Sequence, residues 1–88
     1  MIYSTGDIQE SYESLGVIYA DHSSEGAFDY MGALKLLTDL AEAEQADGVI
    51  HISFNERMAI GQKQVCFQNQ DVQMPEVRVW GTMIKLKK

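Results

Sequence analysis

The stretch that most constrains the fold covers residues 33–55, ALKLLTDLAEAEQADGVIHISFN. In its first half, apolar residues recur at the spacing of one face of a helix, and no proline interrupts the run. In its second half, residues 48–54 are rich in β-branched and aromatic side chains, which is typical of a buried strand. A helix that passes through the short exit Ala46-Asp47-Gly48 into a strand predicts a domain of the α+β class, in which the helix lies on a sheet.

The helix is expected to run from Asp29 to Ala46. Asp29, or Ser24 somewhat earlier, can cap its start, and Gly48 can take a positive φ near its end. Glu44 projects onto the apolar side; we expect its carboxylate to reach water, and an ion pair with another strand or chain is the alternative. The wide apolar face consists of Tyr30, Ala33, Leu34, Leu36, Leu37, Leu40, Ala41 and Ala43.

Further strands are expected on both sides of this helix–strand unit. Residues 1–5 predict a short edge strand, and residues 15–20, LGVIYA, and 77–86, VRVWGTMIKL, predict longer ones. Residues 8–13 alternate in polarity and suit a half-exposed strand. In residues 56–75, short extended pieces are expected at residues 58–60 and 65–67, and the polar residues 68–73 with the only proline, Pro75, predict a loop. The whole chain therefore predicts a two-layer domain with one main helix on a mainly antiparallel sheet.

Strand residues alternate between the two faces of a sheet, and this alternation predicts the core. In residues 48–54, the even-numbered positions are expected on the side of the helix and the odd-numbered positions on the other side. The resulting core consists of Leu34, Leu37, Leu40, Ala41, Ile50, Ile52 and Phe54.

Apolar side chains occupy both faces of the predicted sheet, whereas one helix covers only one of them. Residues 56–75 or another copy of the chain must therefore cover the second face, since a bare apolar face exceeds what soluble monomers usually expose. We expect self-association. Trp80, Met83 and the outer side of residues 15–20 are the candidates for the contact, because aromatic residues and Met are enriched at interface cores.

Length and composition restrict the class of protein. A chain of 88 residues predicts one domain, residues 1–88, and a domain this small is often marginal alone. The net charge of −6, with its only basic cluster at Lys85, Lys87 and Lys88, argues against nucleic acid as the partner. No apolar run is long enough to cross a membrane, and the first residues do not resemble a signal peptide. With the single cysteine Cys66, these features predict a reducing, cytoplasmic setting.

Three segments, taken in order, are similar to the YbjQ-like family. They are Leu15-Gly16-Val17, then Ala46-Asp47-Gly48-Val49-Ile50 at the end of the helix, then Trp80-Gly81-Thr82-Met83-Ile84 in the last strand. The resemblance covers roughly half of the chain and depends on order and spacing rather than on one diagnostic motif. It implies a βαββ-type domain that assembles into a ring, usually a homopentamer. It also implies a heavy-metal-binding label without an established activity.

The residues themselves offer little chemistry. A nucleophilic site needs Ser or Cys near His and a carboxylate, and no recognisable motif of this kind is present, so we expect no enzyme activity and no cofactor. The candidates for a metal site are His22, His51 and Cys66, which lack the spacing of a zinc motif. We expect His51 to be a structural residue and Cys66 to be a small apolar filler. The favoured function is a non-catalytic, ring-forming protein that binds an unknown ligand, and the alternative is a metal-binding module.

Overall fold

The computed structural model describes residues 2–66 and 68–87. Within these residues, a helix lies on one face of a four-stranded sheet with strand order β1-β3-β4-β2. β1 runs parallel to β3, and the β3–β4 and β4–β2 pairs are antiparallel. The elements in chain order are β1 (Ile2–Tyr3), β2 (Tyr12–Ser23), α1 (Tyr30–Ala43), β3 (Gly48–Val65) and β4 (Gln68–Leu86). The predicted α+β class and the mainly antiparallel sheet are confirmed.

The helix α1 is capped at its start as predicted. Asp29 precedes it, and the Asp29 carboxylate accepts a hydrogen bond of 2.9 Å from the backbone nitrogen of Gly32. At the other end, Gln45 takes the positive φ of 60° that had been expected of Gly48. Gly48 instead allows β1 to lie close to β3, because a Cβ at this position would lie 2.5 Å from the carbonyl oxygen of Ile2. Glu44 is exposed, as expected.

The core between α1 and the sheet differs from the predicted set. Leu37, Ala41 and Ile52 are buried in it, and Leu34 packs against it. Leu40 and Phe54 are exposed, so their assignment to the core is wrong. The complete cluster is Ile18, Ala20, Ala33, Leu37, Ala41, Ala46, Val49, Ile52, Val77 and Val79.

A β-bulge explains part of this difference. The register between β3 and β4 shifts between Ile50 and Ser53, and His51 has a positive φ of 53°. One extra residue reverses the alternation of faces. Val49 and Ile52 therefore both contact the helix-side cluster, whereas Ile50 is fully buried outside it. The prediction that Ile50 and Ile52 share a face is wrong for this reason.

The chain between β1 and β2 covers part of the second sheet face. It must cross from one edge of the sheet to the other, because β1 and β2 are the two edge strands. The hydroxyl of Tyr12 donates to the carboxylate of Asp7 at 2.9 Å, and the backbone nitrogen of Lys87 donates to the carbonyl of Ser11 at 3.0 Å. Ile50 and Ile84, which are outside the helix-side cluster, are both fully buried. Residues 8–11 therefore form no strand, and β2 begins only at Tyr12.

β3 and β4 continue beyond the end of β2 as a projecting hairpin, which we call the arm (residues 57–66 and 68–75). Its ladder runs from the pair Arg57↔Glu76 to the pair Val65↔Gln68. The prediction of a loop in residues 68–75 is wrong, because they belong to β4. The extended piece predicted at residues 58–60 lies inside β3, and the piece predicted at 65–67 includes residue 67, which lies outside the described residues. Pro75 is tolerated inside β4 because its carbonyl accepts from the backbone nitrogen of Ser24, one residue past β2. The nitrogen of Pro75, which has no hydrogen to donate, points to the same side as this carbonyl, where β2 has already ended and no ladder bond is lost.

The arm makes the molecule elongated. The chain extends 59 Å along its longest axis and 21 and 17 Å along the others. Its radius of gyration is 16.2 Å, whereas a compact domain of this length has about 12 Å. Among the described residues, no helix is long and apolar enough to cross a membrane.

Candidate functional site

The side of the sheet away from α1 carries an apolar patch, which we call the open face (Val17, Tyr19, Trp80 and Thr82). The register pairs Val17 with Thr82 and Tyr19 with Trp80, so the four side chains are neighbours on the β2–β4 ladder. Val17 is 73% exposed and Tyr19 is 63% exposed. The predicted outer side of residues 15–20 is thus confirmed as an exposed apolar surface. Met83 is not part of it, because that side chain packs against the helix-side core.

A charged pair borders the open face. The guanidinium of Arg78 donates to both carboxylate oxygens of Asp21, at 2.7 and 3.1 Å, and lies 5.8 Å from the centre of the Tyr19 ring. Hydrogen bonding to Arg78 lowers the pKa of Asp21, and the same contact raises the pKa of Arg78. The open face is therefore an apolar surface with a charged rim.

The arm carries a second apolar row, on the side of the sheet that faces α1. It starts at Phe54, whose ring meets the Tyr30 ring edge to face at 5.3 Å. No register shift separates Phe54 from the residues beyond it, so Met58 and Ile60 lie on the same face. Met58 is 49% exposed and Ile60 is 77% exposed. The sequence predicts an extended piece at residues 58–60, but it did not reveal this row, because the pairing of that piece with β4 was not predicted.

A shallow apolar groove adjoins the row where β1 meets the helix. It has a volume of about 180 Å³, and Phe54 borders both the groove and the row. The groove is lined by Tyr3, Ser4, Thr5, Leu34, Ile52 and Phe54. An apolar strip therefore runs from the helix, past Phe54, onto the arm.

The root of the arm is held by a buried carboxylate. Glu76 is buried and accepts from the guanidinium of Arg57 and, at 3.2 Å, from the hydroxyl of Ser23. Glu76 lies in β4, and its partners Arg57 and Ser23 lie in β3 and β2, so the contact joins the three strands that meet at this point. A buried carboxylate needs such partners to offset its desolvation, so they fix the base of the arm to the sheet.

The three predicted metal candidates lie in three different parts of the fold. His22 is at the end of β2, with its Nε2 3.0 Å from the carboxylate of Asp29. His51 is exposed in the β3 bulge, and Cys66 is exposed at the turn of the arm. The expectation that Cys66 fills an apolar gap is therefore wrong. Among residues 2–66 and 68–87, no group of three or more His, Cys, Asp or Glu side chains could hold a metal ion.

The His22–Asp29 pair has a structural role that is visible in its contacts. The backbone nitrogen of Gly32 and the ring of His22 both lower the pKa of Asp29. A Cβ on Gly32 would lie 2.5 Å from both the Asp29 carboxylate and the His22 ring. The glycine thus leaves room for the ring against the first turn of the helix. The pair ties the end of β2 to the start of α1.

Comparison with known proteins identifies one fold. No protein-family model and no curated protein sequence matches the chain. A solved structure does: a protein of unknown function from Pediococcus pentosaceus that belongs to the DUF74 family. The two chains are 20% identical and align with a TM-score of 0.76 over 99% of this chain and 98% of that chain. DUF74 is the YbjQ-like family. At this level of identity the likeness concerns the fold, and this chain has the fold of a DUF74 protein.

Proposed function

We propose that the chain is a non-catalytic subunit of a homo-oligomeric ring and a member of the YbjQ-like family. The observation that supports this best is the open face, where Val17 and Tyr19 are each more than half exposed in a row on a strand. Aromatic and aliphatic side chains in such a row contribute most when a partner buries them. The family resemblance adds the ring size, a pentamer.

The total exposed surface also supports assembly. The isolated chain exposes 6006 Å², whereas a compact monomer of its mass exposes about 5,200 Å². The excess arises from the elongated shape and the arm. Burying this surface between copies would give the small domain the apolar contacts that its own core is too small to supply.

The two apolar surfaces lie on different sides of the sheet. The open face lies away from α1, and the apolar row on the arm lies on the side of α1. A contact between two different surfaces closes into a ring when its rotation fits, and a two-fold dimer buries both surfaces when each copy gives one and receives the other. The arrangement therefore supports association, and the ring is what the family resemblance adds.

Light scattering on purified protein tests the assembly. At low micromolar concentration we expect a single species of five times the chain mass of 9.9 kDa. Another multiple of at least three would keep the ring and change its number, and a dimer would refute the ring. A species of 9.9 kDa would refute the proposal.

A metal-binding module is the second candidate, and the pair of His22 with Asp29 favours it. The two side chains lie 3.0 Å apart and are 29% and 44% exposed. A histidine oriented by a carboxylate is a frequent arrangement at metal sites. One copy supplies too few ligands here, so neighbouring copies would have to contribute. Metal analysis of protein purified without a histidine tag tests this: stoichiometric metal that His22→Gln removes would promote the second candidate.

The proposed partner is therefore the chain itself, in a cytoplasmic setting. The acidic composition, with a net charge of −6, gives no attraction to nucleic acid or to an anionic membrane surface. Charge repulsion of this kind keeps a protein from associating nonspecifically, so specific apolar contacts must account for any assembly.

A further inference from the structure

We propose that the arm of one copy lies across the open face of the next copy, with Met58 and Ile60 packed on Val17 and Tyr19. This inference depends on the proposed homo-oligomer and adds the contact that holds it together. Each copy gives its arm to one neighbour and receives the arm of the other.

The arm itself requires a partner. Beyond the bond from the Ser24 nitrogen to the Pro75 carbonyl, the described part of the arm consists of β3 and β4 only, and no further strand pairs with its outer edges. A two-stranded hairpin is at best marginally stable in water and becomes stable when an apolar face packs against something else. The pair of Arg57 with Glu76 fixes only its root. A hairpin that projects with an apolar row exposed is therefore stabilised when that row packs against another surface.

The two apolar rows match in spacing. Met58 and Ile60 are two residues apart on one face of β3, and Val17 and Tyr19 are two residues apart on one face of β2. Side chains at this spacing lie about 6.8 Å apart along a strand. Two extended rows of equal spacing can interdigitate as facing sheets do. The exposed fractions, from 49% for Met58 to 77% for Ile60, show that all four side chains are accessible to a second copy.

Packing of the arm on the open face of a second copy accounts for the exposed residues better than pairing of two arms with each other. Pairing of two arms through their edges would satisfy backbone groups but leave Val17 and Tyr19 exposed. The crossed arrangement buries both rows in one contact.

Charge substitutions test the contact in the full chain. Ile60→Glu alone and Val17→Lys alone should each reduce the light-scattering mass to 9.9 kDa, because each places an unpaired charge in the apolar contact. The two substitutions in one chain should restore the assembly, since the new charges then face each other. Met31→Glu is the matched control: Met31 is 75% exposed on α1, outside both rows, and the assembly should persist.

Crosslinking gives a second measurement that does not depend on disrupting the assembly. Cys66 is the only cysteine, so Cys66→Ser provides a background without thiols. In that background, Ile60→Cys with Val17→Cys should form disulfides between copies under mild oxidation. Non-reducing gels should then show a ladder that ends at the ring. Ile60→Cys with Met31→Cys should remain at the mass of one chain.

The outcomes separate this contact from the proposed ring. A wild-type chain that is monomeric refutes both. A wild-type oligomer that survives Ile60→Glu and forms no crosslink between positions 17 and 60 keeps the ring and overturns the contact. If Ile60→Glu dissociates the oligomer and Val17→Lys does not, the arm packs on another surface, and the proposed contact is also overturned. Circular dichroism of each variant confirms that the fold is retained.

Discussion

Arg57 and Glu76 face each other across the β3–β4 ladder at the root of the arm, and the Arg57 guanidinium donates to the Glu76 carboxylate. The two side chains differ in environment, because that of Arg57 is 54% exposed and that of Glu76 is 9% exposed. Loss of one partner therefore has different consequences. An unpaired Arg57 can be hydrated, whereas an unpaired Glu76 carboxylate stays buried and keeps, among the hydrogen bonds of the described residues, the Ser23 hydroxyl as its donor.

We expect Arg57→Ala to destabilise the chain by about 1–3 kcal/mol, the cost of an incompletely paired buried group. Glu76→Gln should cost less, because it removes the buried charge and keeps an oxygen acceptor. Urea unfolding at a fixed protein concentration gives both values. Equal effects of the two substitutions would contradict the asymmetry inferred from their exposure.

Leu37 tests the packing of the helix on the sheet. Its side chain is fully buried in the core, so Leu37→Ala should lower the free energy of unfolding by about 2–5 kcal/mol. Leu36→Ala is the matched control, since Leu36 is exposed on the same helix and should change stability by about 0.5 kcal/mol or less. Chemical denaturation of both variants measures the difference. Unchanged stability of Leu37→Ala would exclude Leu37 from the core.

Substitution of Gly81 tests how closely β4 packs against β3 beside the bulge. A Cβ there would lie 2.7 Å from Val49 Cγ1 and 3.0 Å from the backbone oxygen of Ile50. The backbone oxygen cannot rotate away, so Gly81→Ala should cost about 1–3 kcal/mol through overpacking. Gly6→Ala is the control, because nothing lies within 4 Å of its position and its cost should be small. A neutral Gly81→Ala would show that the strands can separate without loss.

The parts of the fold that depend on local sequence were predictable. The apolar period of α1 and the cap at Asp29 are determined by residues within a few positions of each other. The strong strands at residues 15–20 and 77–86 follow in the same way. Their outer side, Val17 and Tyr19, was also predicted as exposed.

The parts that depend on long-range pairing were not predictable. No residue near His51 signals a bulge, because the positive φ falls on a histidine in an apolar run and not on a glycine. The arm combines polar residues with Pro75, which locally favour a loop, and only the pairing of β3 with β4 makes it a hairpin. The sequence indicated an extended piece at residues 58–60, but nothing local indicated that it pairs with β4.

Asp29 links helix capping to pH. The Gly32 backbone N–H and the His22 ring favour the charged carboxylate and lower its pKa below the ordinary 3.8. As the pH falls, the unfolded chain therefore binds its proton first. The stabilisation from Asp29 is fully present above the ordinary pKa and is lost as the pH falls through the lower pKa of the folded chain.

Asp29→Asn isolates this effect, because asparagine caps a helix about as well as aspartate but does not titrate. We expect the variant to melt at a lower temperature than the wild type at pH 7, and the gap to close as the pH falls below 3.8. Asp29→Ala, which also removes the cap, should melt lower still, and its deficit should not vanish in acid. Thermal unfolding by circular dichroism between pH 7 and pH 2.5 measures all three chains. A gap between wild type and Asp29→Asn that stays constant over this range would show that Asp29 contributes through its cap geometry alone.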